Sequence, residues 1–279
     1  MQKLSFALVL AWAAPAAAEQ VEPPPPDDNA DASAPDPGAP PPPPQGVDPL
    51  ALWPQRLIDR PLTLPRGLLR AQADAPITRL NGDAGGATNI GLVATASYGA
   101  SDVFEIGASY ALALQEFNAE GPLRVFAQYK LADGPFKAAI TGSFTYDVAT
   151  EVGVAGVGVG AQWNLGPNVA LLFGGDQLRS TVVVPQGLDA RPSTLSLPVG
   201  IGFQANPALF LYAQTSIGAI NLQDSNTVLF GRDGEPLQLG LFYSPSNEID
   251  LGLAVVYPNL ETAADVFTVL VTGRLFIAN

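Results

Sequence analysis

From about residue 67 to the C-terminus the chain repeats one pattern, runs of about ten residues in which apolar and small polar side chains alternate. Alternation with period two marks a strand whose two faces meet different surroundings. In 121–131, GPLRVFAQYKL, Leu123, Val125, Ala127, Tyr129 and Leu131 share one face, and Arg124, Phe126, Gln128 and Lys130 share the other. In 249–257, Ile249, Leu251, Leu253, Val255 and Tyr257 oppose Asp250, Gly252, Ala254 and Val256. Twelve such runs are readable, at 67–74, 89–98, 103–114, 122–131, 136–146, 152–163, 168–176, 193–203, 208–219, 236–243, 249–257 and 266–277.

The connections alternate in length. Short ones at 99–102, 132–135, 164–167, 204–207 and 244–248 are rich in Gly, Pro, Asn and Asp, as tight turns require. Longer ones fall at 75–88, 115–121, 177–192, 220–235 and 258–265, with 147–151 the exception in size. An even strand count, with turns at one end and loops at the other, predicts a transmembrane antiparallel up-and-down β-barrel of about twelve strands, within limits of roughly ten and fourteen. Closure removes the free edges that an open sheet would leave in lipid.

The two faces are chemically unlike. Charged residues make up 14% of the chain, against roughly 25% in an ordinary soluble domain. The second face carries mainly Gly, Ala, Ser, Thr and Gln, with charges only at intervals. That composition suits an enclosed lumen better than a solvated outer surface. Tyr98, Phe104, Tyr129, Phe136, Trp163, Phe203 and Tyr243 all lie on the apolar face within a few residues of a short turn. This is the expected position of an aromatic girdle at the periplasmic headgroup level.

In these features the chain resembles the Gram-negative outer-membrane β-barrel proteins of the porin-like kind. The resemblance rests on architecture and carries no diagnostic motif. It implies insertion by the barrel-assembly machinery into outer-membrane lipid. Such barrels typically end on an aromatic residue. Here the chain ends Arg274-Leu275-Phe276-Ile277-Ala278-Asn279, so Phe276 stands three residues from the end and on the inward parity.

Three further segments precede the barrel at 67–279. Residues 1–18, with Lys3, an apolar run from Leu4 to Ala14 and Ala16-Ala17-Ala18, read as a signal peptide. Residues 19–48 hold eleven prolines and seven acids and no base. They are expected to be a disordered, extended spacer in the periplasm, the segment on offer to a periplasmic partner. Residues 49–66, PLALWPQRLIDRPLTLPR, carry Trp53, Arg56, Arg60 and Arg66. This approach segment is expected to dock on the acidic linker, to enter the domain, or to run through solvent to the first strand.

The lumen sets the function. Eight strands are filled by their own side chains and sixteen leave a channel, so twelve lie between. Inward residues such as Gly91, Thr95, Gly107, Ser109, Thr141, Ser143, Gly156, Gly158, Gly160, Gly200 and Gly202 are small and leave a void for water, solute, loop 177–192 or segment 49–66. The leading expectation is a narrow passive channel for small solutes. Its lumen charges would be Arg124, Lys130, Lys137 and Arg274, favouring anions, with Glu105 and Asp250 opposing them. The alternative is a structural or surface-interaction barrel with a plugged lumen and acidic loops.

Other classes are disfavoured. With no Cys and no His the chain lacks thiolate ligands, disulfides and the commonest general base, so no enzyme, metal site or cofactor is expected. A net charge of −13 leaves no basic footprint for nucleic acid. The glycines of 152–163 recur with period two inside a strand and lack the strand–turn–helix context of a phosphate loop.

Overall fold

The computed structural model describes residues 48–81, 86–114, 121–175, 177–185, 193–221, 236–258 and 265–279. The expected signal peptide and all of the expected linker except Asp48 lie outside these residues.

The strands run in chain order as β1 (Leu68–Leu80), β2 (Ala87–Ser101), β3 (Phe104–Ala113), β4 (Pro122–Ala132), β5 (Phe136–Asp147), β6 (Val152–Asn164), β7 (Val169–Phe173), β8 (Leu178–Val183), β9 (Ser193–Gln204), β10 (Leu209–Asn221), β11 (Leu237–Tyr243), β12 (Ile249–Tyr257) and β13 (Val266–Ala278). Apart from β7 and β8, sequential strands pair antiparallel, and β1 pairs both with β2 and, from Leu68↔Ala278 to Leu80↔Val266, with β13. The sheet therefore closes on itself. β7 and β8 occupy successive lengths of one position between β6 and β9, so the wall has twelve staves.

The distribution of polarity is the inverse of a soluble domain's. Outward side chains are apolar and bare, with Ile106 at 45% exposure, Trp163 at 51% and Leu131 at 57%. Inward charged and polar side chains are covered, among them Glu105, Asp250, Lys137 and Gln204. The faces divide by parity as the alternation requires.

Two strands differ from the sequence expectation. β1 extends six residues beyond the expected 67–74 run, through Pro76 to Leu80. The ladder to β2 skips Ala75 and Pro76 and resumes at Ile77↔Ile90, while the pairing with β13 continues through Pro76↔Leu270. A proline costs a strand one donor, and here the missing bond falls on one side only.

The seventh run is not a single strand over 168–176, and 177–192 is not all loop, because residues 178–183 are wall. Between β7 and β8 the chain bulges through Gly174 and Gly175, the latter at φ 100°. The side chain of Gln177 fills the gap in the ladder. Its Oε1 accepts from Val159 N–H at 2.5 Å, and its Nε2 donates to Val159 O at 2.6 Å. A Cβ at Gly158 would lie 2.0 Å from Gly175 O, so only glycine admits the bulge. The expectation of a folded-in loop at 177–192 fails for 178–183, which are strand, and 186–192 lie outside the described residues.

Several inward glycines do not enclose empty space. A Cβ at Gly107 would fall 2.4 Å from Phe126, at Gly202 2.4 Å from Phe210, at Gly240 2.6 Å from Tyr212 and at Gly252 2.6 Å from Phe242. Each ring lies over a glycine of the neighbouring strand. The pairing covers exposed glycine backbone and gives the ring a fixed seat.

Candidate functional site

The short-turn end of the barrel is filled by residues 48–67. Prolines at 49, 54, 61 and 65 deny this segment a regular ladder or helix. Its only regular element is one 3₁₀ turn, Leu57–Asp59. Backbone groups left without partners inside a protein must find them elsewhere, and here the inward polar side chains of the wall supply them. Ile58 N–H donates to Gln204 Oε1 at 3.2 Å. Ile58 O accepts from Lys137 Nζ at 2.6 Å and from Gln162 Nε2 at 2.7 Å. Lys137 Nζ also donates to Arg60 O at 2.7 Å. Leu64 N–H donates to Glu105 Oε2 at 2.9 Å, and Asn247 Nδ2 donates to Leu50 O at 2.6 Å. Arg56 reaches the β6–β7 turn at Pro167 O and Asn168.

Arg60 is the centre of the segment. Its guanidinium makes two bonds to Asp250, at 2.6 and 3.0 Å, and further bonds to Pro54 O at 2.6 Å and Gln55 O at 3.1 Å. Ser244 Oγ donates to the same carboxylate at 2.6 Å. The guanidinium carbon lies 5.2 Å from the Trp53 ring centroid and 5.0 Å from that of Phe276. A paired fork of this kind, fully desolvated and stacked on aromatic rings, is the geometry for which arginine is suited and lysine is not.

Apolar contacts complete the fit. Trp53 and Leu64 pack with Leu68 and Phe276, while Ile58 packs with Ala170 and Phe210. Phe276, on the inward parity near the C-terminus, is thus an interior anchor for Trp53, with ring centroids 5.2 Å apart. At Gly99 a Cβ would fall 2.0 Å from Pro65 O, so the segment lies directly on the wall there. Gly67 N–H donates to Gly99 O at 2.9 Å.

The charged residues expected to line a pore separate into two groups. Glu105, Lys137 and Asp250 face the interior and there hold residues 58–64. Glu105 also pairs with Arg70 at 2.8 Å. The partners described for Arg274, Arg124 and Lys130 lie on the wall. Arg274 Nε donates to Gln72 Oε1 at 3.0 Å, and its guanidinium covers Phe242 at 4.3 Å. Arg124 lies over Phe126 at 5.3 Å. Lys130 pairs with Asp133 at the β4–β5 turn, at 3.2 Å.

Two cavities are lined by wall residues outside the segment. One, about 220 Å³, is lined by Arg124, Ser143, Thr145, Val154, Gly156 and Arg179. Arg179 had no place in the sequence reading because it fell in an expected loop; the alternating, β-branched stretch Leu178–Val183 was the available signal. The other cavity, about 520 Å³, lies against β10, β11, β13 and β1 and includes Asp74, Tyr212, Gln238 and Arg274.

The expected girdle residues stand at the same end as the segment, on the outer face. Phe104, Tyr129, Phe136, Trp163, Phe203 and Tyr243 are 37–51% exposed, and Tyr98 is half-buried. Phe104 lies opposite Tyr129, and Phe136 opposite Trp163.

The sequence matches no family model and no curated protein. Solved structures do match the fold. The NanC porin aligns with a TM-score of 0.52 at 10% identity, covering 74% of this chain and 99% of that one. The KdgM porin in complex with disordered oligogalacturonate aligns with a TM-score of 0.51 at 10% identity, covering 73% and 98%. At this identity the likeness is one of architecture: the chain is a closed, twelve-stave antiparallel β-barrel with the fold of these porins.

Proposed function

We propose that the protein is a porin-like channel of the Gram-negative outer membrane that rests closed, with residues 53–64 stopping its periplasmic mouth. The observation that carries this reading is the set of bonds from Glu105, Lys137, Gln162, Gln204 and Asp250 to that segment, made in a barrel that is apolar outside and polar within. Such a barrel is soluble in lipid rather than in water. The short-turn end then faces the periplasm, where residues 19–48 tether the segment, and the seven outward aromatics sit at the headgroups. Arg124 and Arg179, two basic side chains on the lining of one cavity, would bias conduction towards anions. The many specific bonds to the segment also favour a second reading, a permanently closed barrel with a structural or surface role.

The test is planar-bilayer conductance of the detergent-folded protein, with heat-modifiable gel mobility reporting the folded barrel. Current steps in the wild type, or steps appearing only when the segment is loosened, support the channel. Silence from both, with the barrel shown to be folded and inserted, supports the structural reading.

A further inference from the structure

The 520 Å³ cavity has features that the closed mouth does not use, and its size lies within the roughly 300–1,000 Å³ of small-molecule sites. Tyr212 lies half-buried at its wall, seated on Gly240 and flanked by Phe210 and Phe242 with ring centroids 6.5 and 5.9 Å away and planes within 22° and 18°. Those separations are too wide for face-to-face stacking, so the three rings tile the wall side by side. Ile58 packs at Phe210 and Arg274 covers Phe242, which leaves the Tyr212 face as the platform.

Across the cavity runs a hydrogen-bonded rail. Arg274 Nε donates to Gln72 Oε1 at 3.0 Å, Gln72 Nε2 donates to Asp74 Oδ2 at 2.7 Å, and Thr272 Oγ1 donates to Asp74 Oδ1 at 2.6 Å. Gln238 Nε2 donates to Tyr212 Oη at 2.7 Å. The carboxylate accepts two bonds here of about four it can take. Among the described residues the lining carries one charge of each sign. Asp74 and Arg274 are its charged members, and the adjoining Arg60 and Arg70 are paired with Asp250 and Glu105.

We propose that this cavity is a binding site for a neutral sugar of one or two rings. A pyranose has an apolar C–H face for the Tyr212 ring and hydroxyls that both donate and accept, matching Asp74, Gln72, Gln238 and Thr272. A charged solute would meet, among the described lining residues, a like charge beside the one that attracts it, since Asp74 and Arg274 both stand there. The inference rests on the channel reading in one respect, that solute reaches the lumen.

Saturation-transfer NMR on the detergent-folded protein tests it, with glucose, maltose and glucuronate as probes. Glucose and maltose should receive saturation on their ring C–H protons, and glucuronate should bind more weakly. Asp74→Asn should weaken maltose binding by roughly tenfold, the size of one lost hydrogen bond to a charged group, and Tyr212→Leu, which removes the aromatic platform, should weaken it by roughly tenfold as well. No saturation of either neutral sugar overturns the proposal. Glucuronate binding as well as glucose overturns the assignment of a neutral ligand. Undiminished binding in both variants, each shown folded by heat-modifiable mobility, overturns the site. Binding is read without conduction. A barrel that binds maltose and never conducts refutes the channel alone; one that conducts and binds no sugar refutes the site alone.

Discussion

Arg60→Met should open the barrel. Arg60 is 6% exposed and Asp250 is fully buried, and the two share both guanidinium–carboxylate bonds. The substitution leaves the carboxylate with Ser244 Oγ as its remaining donor. Removing one partner of a buried pair costs about 3–5 kcal/mol, because the other charge stays desolvated. That cost falls on the closed state. Once residues 53–64 leave, Asp250 faces a water-filled lumen and is solvated. The closed-to-open ratio should therefore fall by roughly 100- to 4,000-fold, at 1.4 kcal/mol per tenfold change. Single-channel recording reads this as a rise in open probability. The companion variant pairs Arg60→Met with Asp250→Leu. It replaces the ion pair by apolar groups, a change that is often neutral or stabilising in buried sites. It should close the channel again relative to the single variant. An open probability equal to wild type in Arg60→Met, from protein that shows heat-modifiable mobility, would refute the latch.

Three further outcomes are expected. In a chain starting at residue 19 with Trp163→Phe, Trp53 is the remaining tryptophan, and it is buried against Phe276; its emission should lie to the blue and resist iodide, and adding Arg60→Met should shift it red and expose it to quenching. Replacing Arg124 and Arg179 with Gln should move the reversal potential across a salt gradient towards the unselective value in any open form of the protein, and an unchanged potential would remove these arginines from the permeation path. Gln177→Ala should lower the temperature at which the barrel loses its compact gel mobility, since Val159 N–H and C=O lose the side chain that pairs them and each unsatisfied backbone group costs about 1–3 kcal/mol.

The seated segment also bears on why the inner wall carries the polar residues it does. In an open pore Gln162, Gln204 and Lys137 would read as a hydrophilic lining for solute. Here all three hold Ile58, through its N–H or its C=O. Amide and ammonium side chains reach backbone groups that a ladder would otherwise pair, and they are well placed to hold a proline-rich segment that forms no ladder of its own.

The sequence by itself determined what depends on neighbouring residues along the strand. Side chains alternate between faces with a period of two, so the inward placement of Glu105, Arg124 and Asp250 and the outward placement of Tyr129, Trp163 and Tyr243 follow from counting. The short turns likewise carry their own signals. Only the tertiary structure decided what depends on partners far away in the chain. Arg60 and Asp250 stand 190 residues apart, and Ile58 and Gln204 stand 146 apart. No periodicity links such positions, because closure of the barrel brings them together. The same holds for the broken stave. Gln177 reads as the start of a loop until Val159 lies beside it, and Gly158 reads as a small lumen residue until Gly175 crosses it. Interior volume was likewise undecided, since a glycine's space is empty or occupied according to which ring the neighbouring strand supplies.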